Sequence, residues 1–424
     1  MLRLPILRCV CVLLLGACGA SDEGSAIGVC VESACPDDQV CGTDGCEPIP
    51  VPVVTGALGR FTRSAMTRDG TRVIATYDST HRNLVVLFER PNDTVVTQVV
   101  DGWRVINRQT VEVDAGTWID LAIDDEDGIH LVWHHADDGA LRYGFSSGDG
   151  HWETETVDGK GSETRGTHAS VAVADGRVHV AYRDVDGRSL RYARRESGGE
   201  WSSRQISSCA GELECPSADE DFGEWASVAV IGGRPRVAFY DRLRGDLKVT
   251  SVDVEGVWST TTLDGRDPST GLDTGDVGRF VTLVLDATRV PGLAYYDASR
   301  GALRFVRPGE TPIVVDAGVY LDTATATMKS HPVGQHAALR YDAQGRAVLM
   351  YLDGGSPAIK IATVSDEAVR TIQTTNIPPG GFLNFEVVTD TEGRDFVEGV
   401  LGAWVAGEAP RSALDHFRIA MEAP

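Results

Sequence analysis

The chain has 424 residues, 42% hydrophobic and 24% charged, with 47 glycines, a globular composition rich in turn residues. Its formal net charge of -23 argues against nucleic acid as a partner, because phosphate binding needs a basic surface. The charge is compatible with a cation or a neutral glycan as ligand, and it reads first as a solvated acidic surface.

The N-terminus gives the address. Residues 1–18 read MLRLPILRCVCVLLLGAC, with Arg3 and Arg8 before an apolar core over residues 9–15. That core is shorter than the ~20 residues of a spanning helix, so a secretory signal is expected. The ending Leu15-Gly16-Ala17-Cys18 resembles the lipobox of bacterial lipoproteins. The resemblance implies a signal peptide over residues 1–17 and acyl chains, palmitate among them, on Cys18 of the mature chain. It also implies a lipid-anchored, extracytoplasmic protein with the membrane as partner. Gly19 follows where Asp would retain the protein at the inner membrane, so the family pattern points to the outer membrane or cell surface.

Residues 18–50 are expected to form a tether with a small stapled segment. Cys30, Cys35, Cys41 and Cys46 lie within 17 residues. In an exported chain they predict two disulfides, with three pairings open. The spacing lacks the CxxC pairs of zinc sites. Pro48, Pro50 and Pro52 stiffen the junction to the next domain.

From residue 51 to 424 the sequence repeats. A strand ends in Tyr77-Asp78, Trp133-His134, Tyr182-Arg183-Asp184, Tyr240-Asp241, Tyr296-Asp297 and Tyr351-Leu352-Asp353, about every 56 residues. A second strand follows, led by Leu84, Leu141, Leu190, Leu247, Leu303 or Ile359. An apolar strand precedes each pair, as in residues 168–174 (HASVAVA), and a fourth follows. Four short strands per period predict one propeller blade each, and the continuous apolar runs predict sheets covered on both faces. The predicted fold is all-β: a seven-bladed β-propeller of four-stranded antiparallel blades, with little helix. The seventh blade offers three strands, over residues 382–389, 396–405 and 414–421. Residues 51–58 (VPVVTGAL) are expected to supply its fourth and close the ring.

The hairpins before Trp152, Trp201 and Trp258, such as Ser147-Gly148-Asp149-Gly150-His151-Trp152, resemble decayed Asp-boxes of sialidase-like, or BNR, repeat proteins. The resemblance supports the fold. A sialidase would also need three arginines, a Tyr-Glu pair and an Asp acid. Arg60, Arg279 and Arg340 fall near first strands, but no Tyr-Glu pair assembles and the Phe-Arg-Ile-Pro signature is absent.

Long connections gather on the face of the Tyr-Asp ends and the first-strand starts, where a binding site is expected. Trp118, His168, Trp225 and His336 are the ligand-binding candidates there. One connection carries Cys209 and Cys215, a candidate disulfide. Another, residues 264–278, carries Asp267, Asp273 and Asp276, candidates for a structural calcium ion; no other cofactor is expected. The repeated Asp78, Asp184, Asp241, Asp297 and Asp353 read as turn caps, since a catalytic group would occur once.

Blade two breaks the repeat with His134 and His135. Residues 127–143 are similar to a stretch of the ulvan-lyase type of propeller polysaccharide lyases. That resemblance implies a His and a Tyr as proton-abstracting groups and a basic partner for a uronate carboxylate. His134, His135, His168, Tyr182, Arg183 and Arg242 are the candidates. The family's earlier His would fall near Gly116 and Thr117 and is missing. The plainer reading has the two histidines replacing the capping Asp. The leading expectation is a non-catalytic binding or scaffold module with a glycan or envelope protein as ligand. A carbohydrate-active lyase is the alternative.

Overall fold

A computed structural model describes residues 35, 39–42, 45–48, 55–106, 109–196, 198–206, 221–267, 269–355, 358–365, 368–375, 380–403 and 414–421. The chain divides into two compact units, residues 1–50 with 105–109, and residues 51–104 with 110–424. In the first, Gln39–Gly42 pairs antiparallel with Gly45–Pro48, and Cys35 is disulfide-bonded to Cys46. Cys18, Cys30, Cys209 and Cys215 lie outside the described residues.

The second unit is a seven-bladed β-propeller with no helix among the described residues. Blade one shows the pattern: Arg60–Met66, Arg72–Asp78, Asn83–Glu89 and Val95–Asp101 form an antiparallel meander in that order. The first strands of the other six blades are Ala115–Ile123, Arg165–Ala174, Phe222–Ile231, Val277–Leu285, Val333–Tyr341 and Gly380–Thr389. These innermost strands surround the axis. The second strands are the most hidden; all seven residues of Ile129–His135 and of Pro291–Asp297 are buried. Stacked blades explain that burial. Six hydrophobic cores each draw on two neighbouring blades, as where Leu303 and Phe305 of blade five meet Leu349 and Tyr351 of blade six. Each such buried side chain contributes about 1.5–3 kcal/mol.

Four of the junctions also hold a polar bond from a tyrosine or tryptophan to an aspartate of the preceding blade. The fourth strands of blades two, four and five end in Asp158, Asp264 and Asp316. A tyrosine from the next blade donates its hydroxyl to each: Tyr182 to Asp158, Tyr295 to Asp264 at 2.6 Å, Tyr351 to Asp316 at 2.8 Å. A cation from that same blade completes the set, Arg191 at 2.9 Å, Arg304 at 2.5 Å and Lys360 at 3.0 Å. Between blades one and two, the Trp133 indole N–H takes the hydroxyl's place, 2.8 Å from Asp101. Between blades three and four the tyrosine is replaced by Phe239, and the facing residue is Ile206 rather than Asp. Both members change together because a buried carboxylate without a donor is costly.

The marker aspartates cap turns, as the sequence suggests. Asp184 accepts the Gly187 amide at 2.8 Å, and Asp241 accepts the Leu243 and Arg244 amides. Asp78 accepts the amides of Gly56, Thr80 and His81.

The expected closing strand differs. Residues 55–58 form no strand, and 51–54 lie outside the described residues. The Ala57 carbonyl instead accepts from the Ser79 amide, and its N–H donates to the Thr80 hydroxyl at 2.9 Å. Its backbone groups are thus satisfied at the end of blade one. Among the described residues blade seven has three strands, Gly380–Thr389, Asp395–Ala403 and Leu414–Ala420. Blades seven and one meet through the Asn384 amide, 2.9 Å from the Thr62 carbonyl, and the Arg72–Glu398 pair.

Candidate binding site on the propeller axis

Every first strand carries the same irregularity. Its register slips by a bulge, and at the bulge one residue adopts a left-handed backbone: Phe61, Trp118, His168, Trp225, Phe280, His336 and Phe382, with φ between 50° and 58°. A bulky side chain there costs about 1 kcal/mol or more, so seven repetitions are a built feature. A glycine two residues earlier permits it. At Gly278, φ is +107°, and a Cβ would lie 2.9 Å from the Cα of Leu247 in the preceding blade. Only glycine lets the strand approach that closely.

The seven side chains meet in a closed ring. Neighbouring centroids lie 3.8–5.6 Å apart, from Phe61 through Trp118 and onward to Phe382, which returns to Phe61 at 5.2 Å. Successive planes meet at 35–73°. The Trp225 amide donates to His168 Nδ1 at 3.0 Å, which leaves the proton of a neutral His168 on Nε2. Burial pushes His168 down to about 3, helped by Arg183, and His336 down to about 4, helped by Arg63. Both are neutral at pH 7.

Beyond the ring lies a cavity of about 440 Å³. It is lined by the ring residues and by their successors along each first strand, including Arg63, Asp120, Ser227, Arg340 and Asn384. No residue preceding the ring in any first strand lines it, so the ring forms its end wall. The cavity extends toward the hairpins between first and second strands, away from the long connections where the site was expected. The size suits a small ligand. Around it, polar side chains tie blades two through five in succession: Asp120 to the Val171 amide at 2.8 Å, Ser170 to the Val228 amide at 3.1 Å, Ser227 to the Leu283 amide at 3.0 Å. Arg63 Nε sits 3.0 Å from Asp120, and Arg340 Nε 3.5 Å from Glu386.

Trp118, His168, Trp225 and His336 are thus gathered in one ring. The lyase candidates are not gathered. His134 is buried with Nδ1 2.8 Å from the Arg165 carbonyl, and burial lowers its pKa. His135 is buried between Arg104 and the Asp138 amide. The Tyr182 hydroxyl is spent on Asp158, and burial raises it far above its ordinary pKa. Arg183 is buried against Asp221 and Glu224, and Arg242 pairs with the same two carboxylates. His168 faces the axis, with Arg183 near enough to help lower its pKa. The calcium candidates are also dispersed: Asp267 caps the turn at Ser269 and Thr270, Asp273 accepts the Gly275 amide, and Asp276 holds Tyr240 and Arg279. Among the described residues no three potential metal ligands converge.

No protein-family model matches the sequence, and no curated protein does. Solved structures do resemble it. The polysaccharide lyase Uly1 is 10% identical with a TM-score of 0.48, covering 88% of this chain and 92% of that one. AofleA from Arthrobotrys oligospora is 10% identical with a TM-score of 0.45, covering 76% and 88%. The six-bladed fucose-binding lectin of Aleuria aurantia is 12% identical with a TM-score of 0.41, covering 75% and 96%. The likeness is one of fold and says nothing about what this chain binds.

Proposed function

We propose that this chain is a non-catalytic binding module of the cell envelope, moored through acyl chains on Cys18, whose axial cavity receives the end of a glycan. The observation that carries the reading is the ring: seven strained backbone positions hold seven aromatic side chains at the end wall of one cavity. Strain repeated in every blade and collected at one cavity fits a preorganised site. An apolar end wall beside Arg63, Asp120, Asn384 and Ser227 offers both donors and acceptors to a polyhydroxylated ligand. The lipobox resemblance supports the mooring at the outer membrane or cell surface.

The test is a glycan panel probed with the full mature chain and with Ala338→Phe, which fills the cavity from its wall. Binding of at least one glycan, lost in Ala338→Phe at an unchanged melting temperature, is expected. Silence across a broad panel overturns the glycan reading; binding unaffected by the substitution moves the site elsewhere. Labelled palmitate is expected on the chain and absent from Cys18→Ser; an unlabelled, released protein refutes the anchor.

A further inference from the structure

We infer that the axial cavity selects a ligand whose leading group is a carboxylate, such as the acidic end of a uronate-terminated glycan. The inference rests on the cavity being the binding site and adds the charge of the group that enters it.

The first ground is the pair of arginines. Arg63, on blade one, and Arg340, on blade six, both line the cavity. Arg63 gives Nε to Asp120 and Nη1 to the Thr62 carbonyl. Arg340 gives Nη1 to the Leu339 carbonyl, and its Nε faces Glu386 at 3.5 Å. Nη2 of each has no partner among the described residues. The one carboxylate lining the cavity is already spent: Asp120 holds Arg63 through Oδ1 and the Val171 amide through Oδ2. Unused guanidinium donors on two sides of a cavity are suited to a carboxylate, which accepts through two oxygens.

The second ground is the end wall. Its polar members, Trp118, Trp225, His168 and His336, carry ring nitrogens and no carboxylate. The indole N–H groups of Trp118 and Trp225 have no acceptor among the described residues. With Nδ1 accepting from the Trp225 amide, His168 carries its proton on Nε2. Such a wall favours oxygen over a cation.

The overall charge of -23 does not oppose this inside the cavity. Exposed charges farther than a Debye length, about 8 Å at physiological salt, are largely screened, whereas the arginines stand at the wall. The acidic exterior instead slows the approach of an anion, so selectivity should appear in equilibrium affinity and in dissociation.

The probes are D-glucuronate and its neutral methyl ester, titrated calorimetrically into the full mature chain at low and high salt. Glucuronate is expected to bind at least tenfold more tightly than the ester, with an advantage that shrinks as salt rises. Arg63→Gln and Arg340→Gln should each remove several-fold of that advantage, read as the ratio of acid to ester affinity within the same variant. Arg340→Lys should restore part of it. Equal binding of acid and ester, both lost in Ala338→Phe, overturns the carboxylate inference and leaves the cavity reading standing. Absence of binding by either probe overturns the inference; a glycan panel that is also silent removes the cavity reading with it.

Discussion

The junction between blades three and four tests how the propeller is held together. At four other junctions a buried tyrosine or tryptophan donates to an aspartate of the preceding blade; here Phe239 faces Ile206. Phe239→Tyr alone places a hydroxyl in a fully buried site against an isoleucine, which costs about 1–3 kcal/mol. Ile206→Asp alone buries a carboxylate, which costs several kcal/mol without a hydroxyl to receive. Lys248, buried and 3.8 Å from Asp241 in its own blade, stands where Arg304 and Lys360 reach their aspartates elsewhere. The double substitution rebuilds the set found at the other junctions. A hydrogen bond to a charged acceptor is worth about 1.5–3 kcal/mol, so the coupling between the two changes should be about 2 kcal/mol in favour of the pair. For a chain of this size that is on the order of 2–4 °C in melting temperature. Calorimetry of wild type, both single variants and the double variant measures it. Additive losses, with the double variant the least stable, would refute the reasoning.

The ring histidines give a pH signature. His336 titrates near 4 when folded and 6.5 when unfolded, so between those values the unfolded chain binds a proton that the native chain refuses. Stability should therefore fall as pH drops through this window. His336→Phe, which copies blades one, five and seven, should flatten the fall; an unchanged pH profile would show that the imidazole is not held neutral. Gly278→Ala should lose about 3 kcal/mol, because its φ of +107° excludes a Cβ that would also strike Leu247; a melt within a degree of wild type would contradict the tight strand approach. Peptide mapping without reductant should recover Cys35 joined to Cys46; either of them joined to another cysteine contradicts the structure.

Much of the architecture is legible in the sequence because burial repeats. Runs such as PGLAYYD are apolar on both faces, and that pattern belongs to a strand between two blades. The turn-capping role of Asp184 and Asp241 can be read from their recurrence. The site is less legible. Trp118, His168, Trp225 and His336 stand out as first-strand starts, but the side of the ring on which the cavity lies depends on a bulge and a left-handed residue. The signal for that geometry is the glycine two places before each aromatic, as in Gly59, Gly116, Gly166 and Gly223. Among 47 glycines, most of them in ordinary turns, it does not announce itself. Arg63 and Asp120 escape because their repeat position holds Ser170, Ser227, Thr282, Ala338 and Asn384 in other blades, with no common chemistry to mark it. The junction aspartates escape for a related reason: their partners are Tyr, Trp or nothing, and only the paired loss at Phe239 and Ile206 makes the rule visible.

The central claim is that a ligand meets the aromatic ring from inside the axial cavity. Among the eight tryptophans, Trp118 and Trp225 belong to the ring. Indole N–H resonances recorded during titration with glucuronate, assigned through Trp118→Phe and Trp225→Phe, test it most directly. Those two signals should move together and saturate, while the buried indoles of Trp103, Trp201 and Trp258 stay in place. Movement of other indoles with these two unchanged would contradict it.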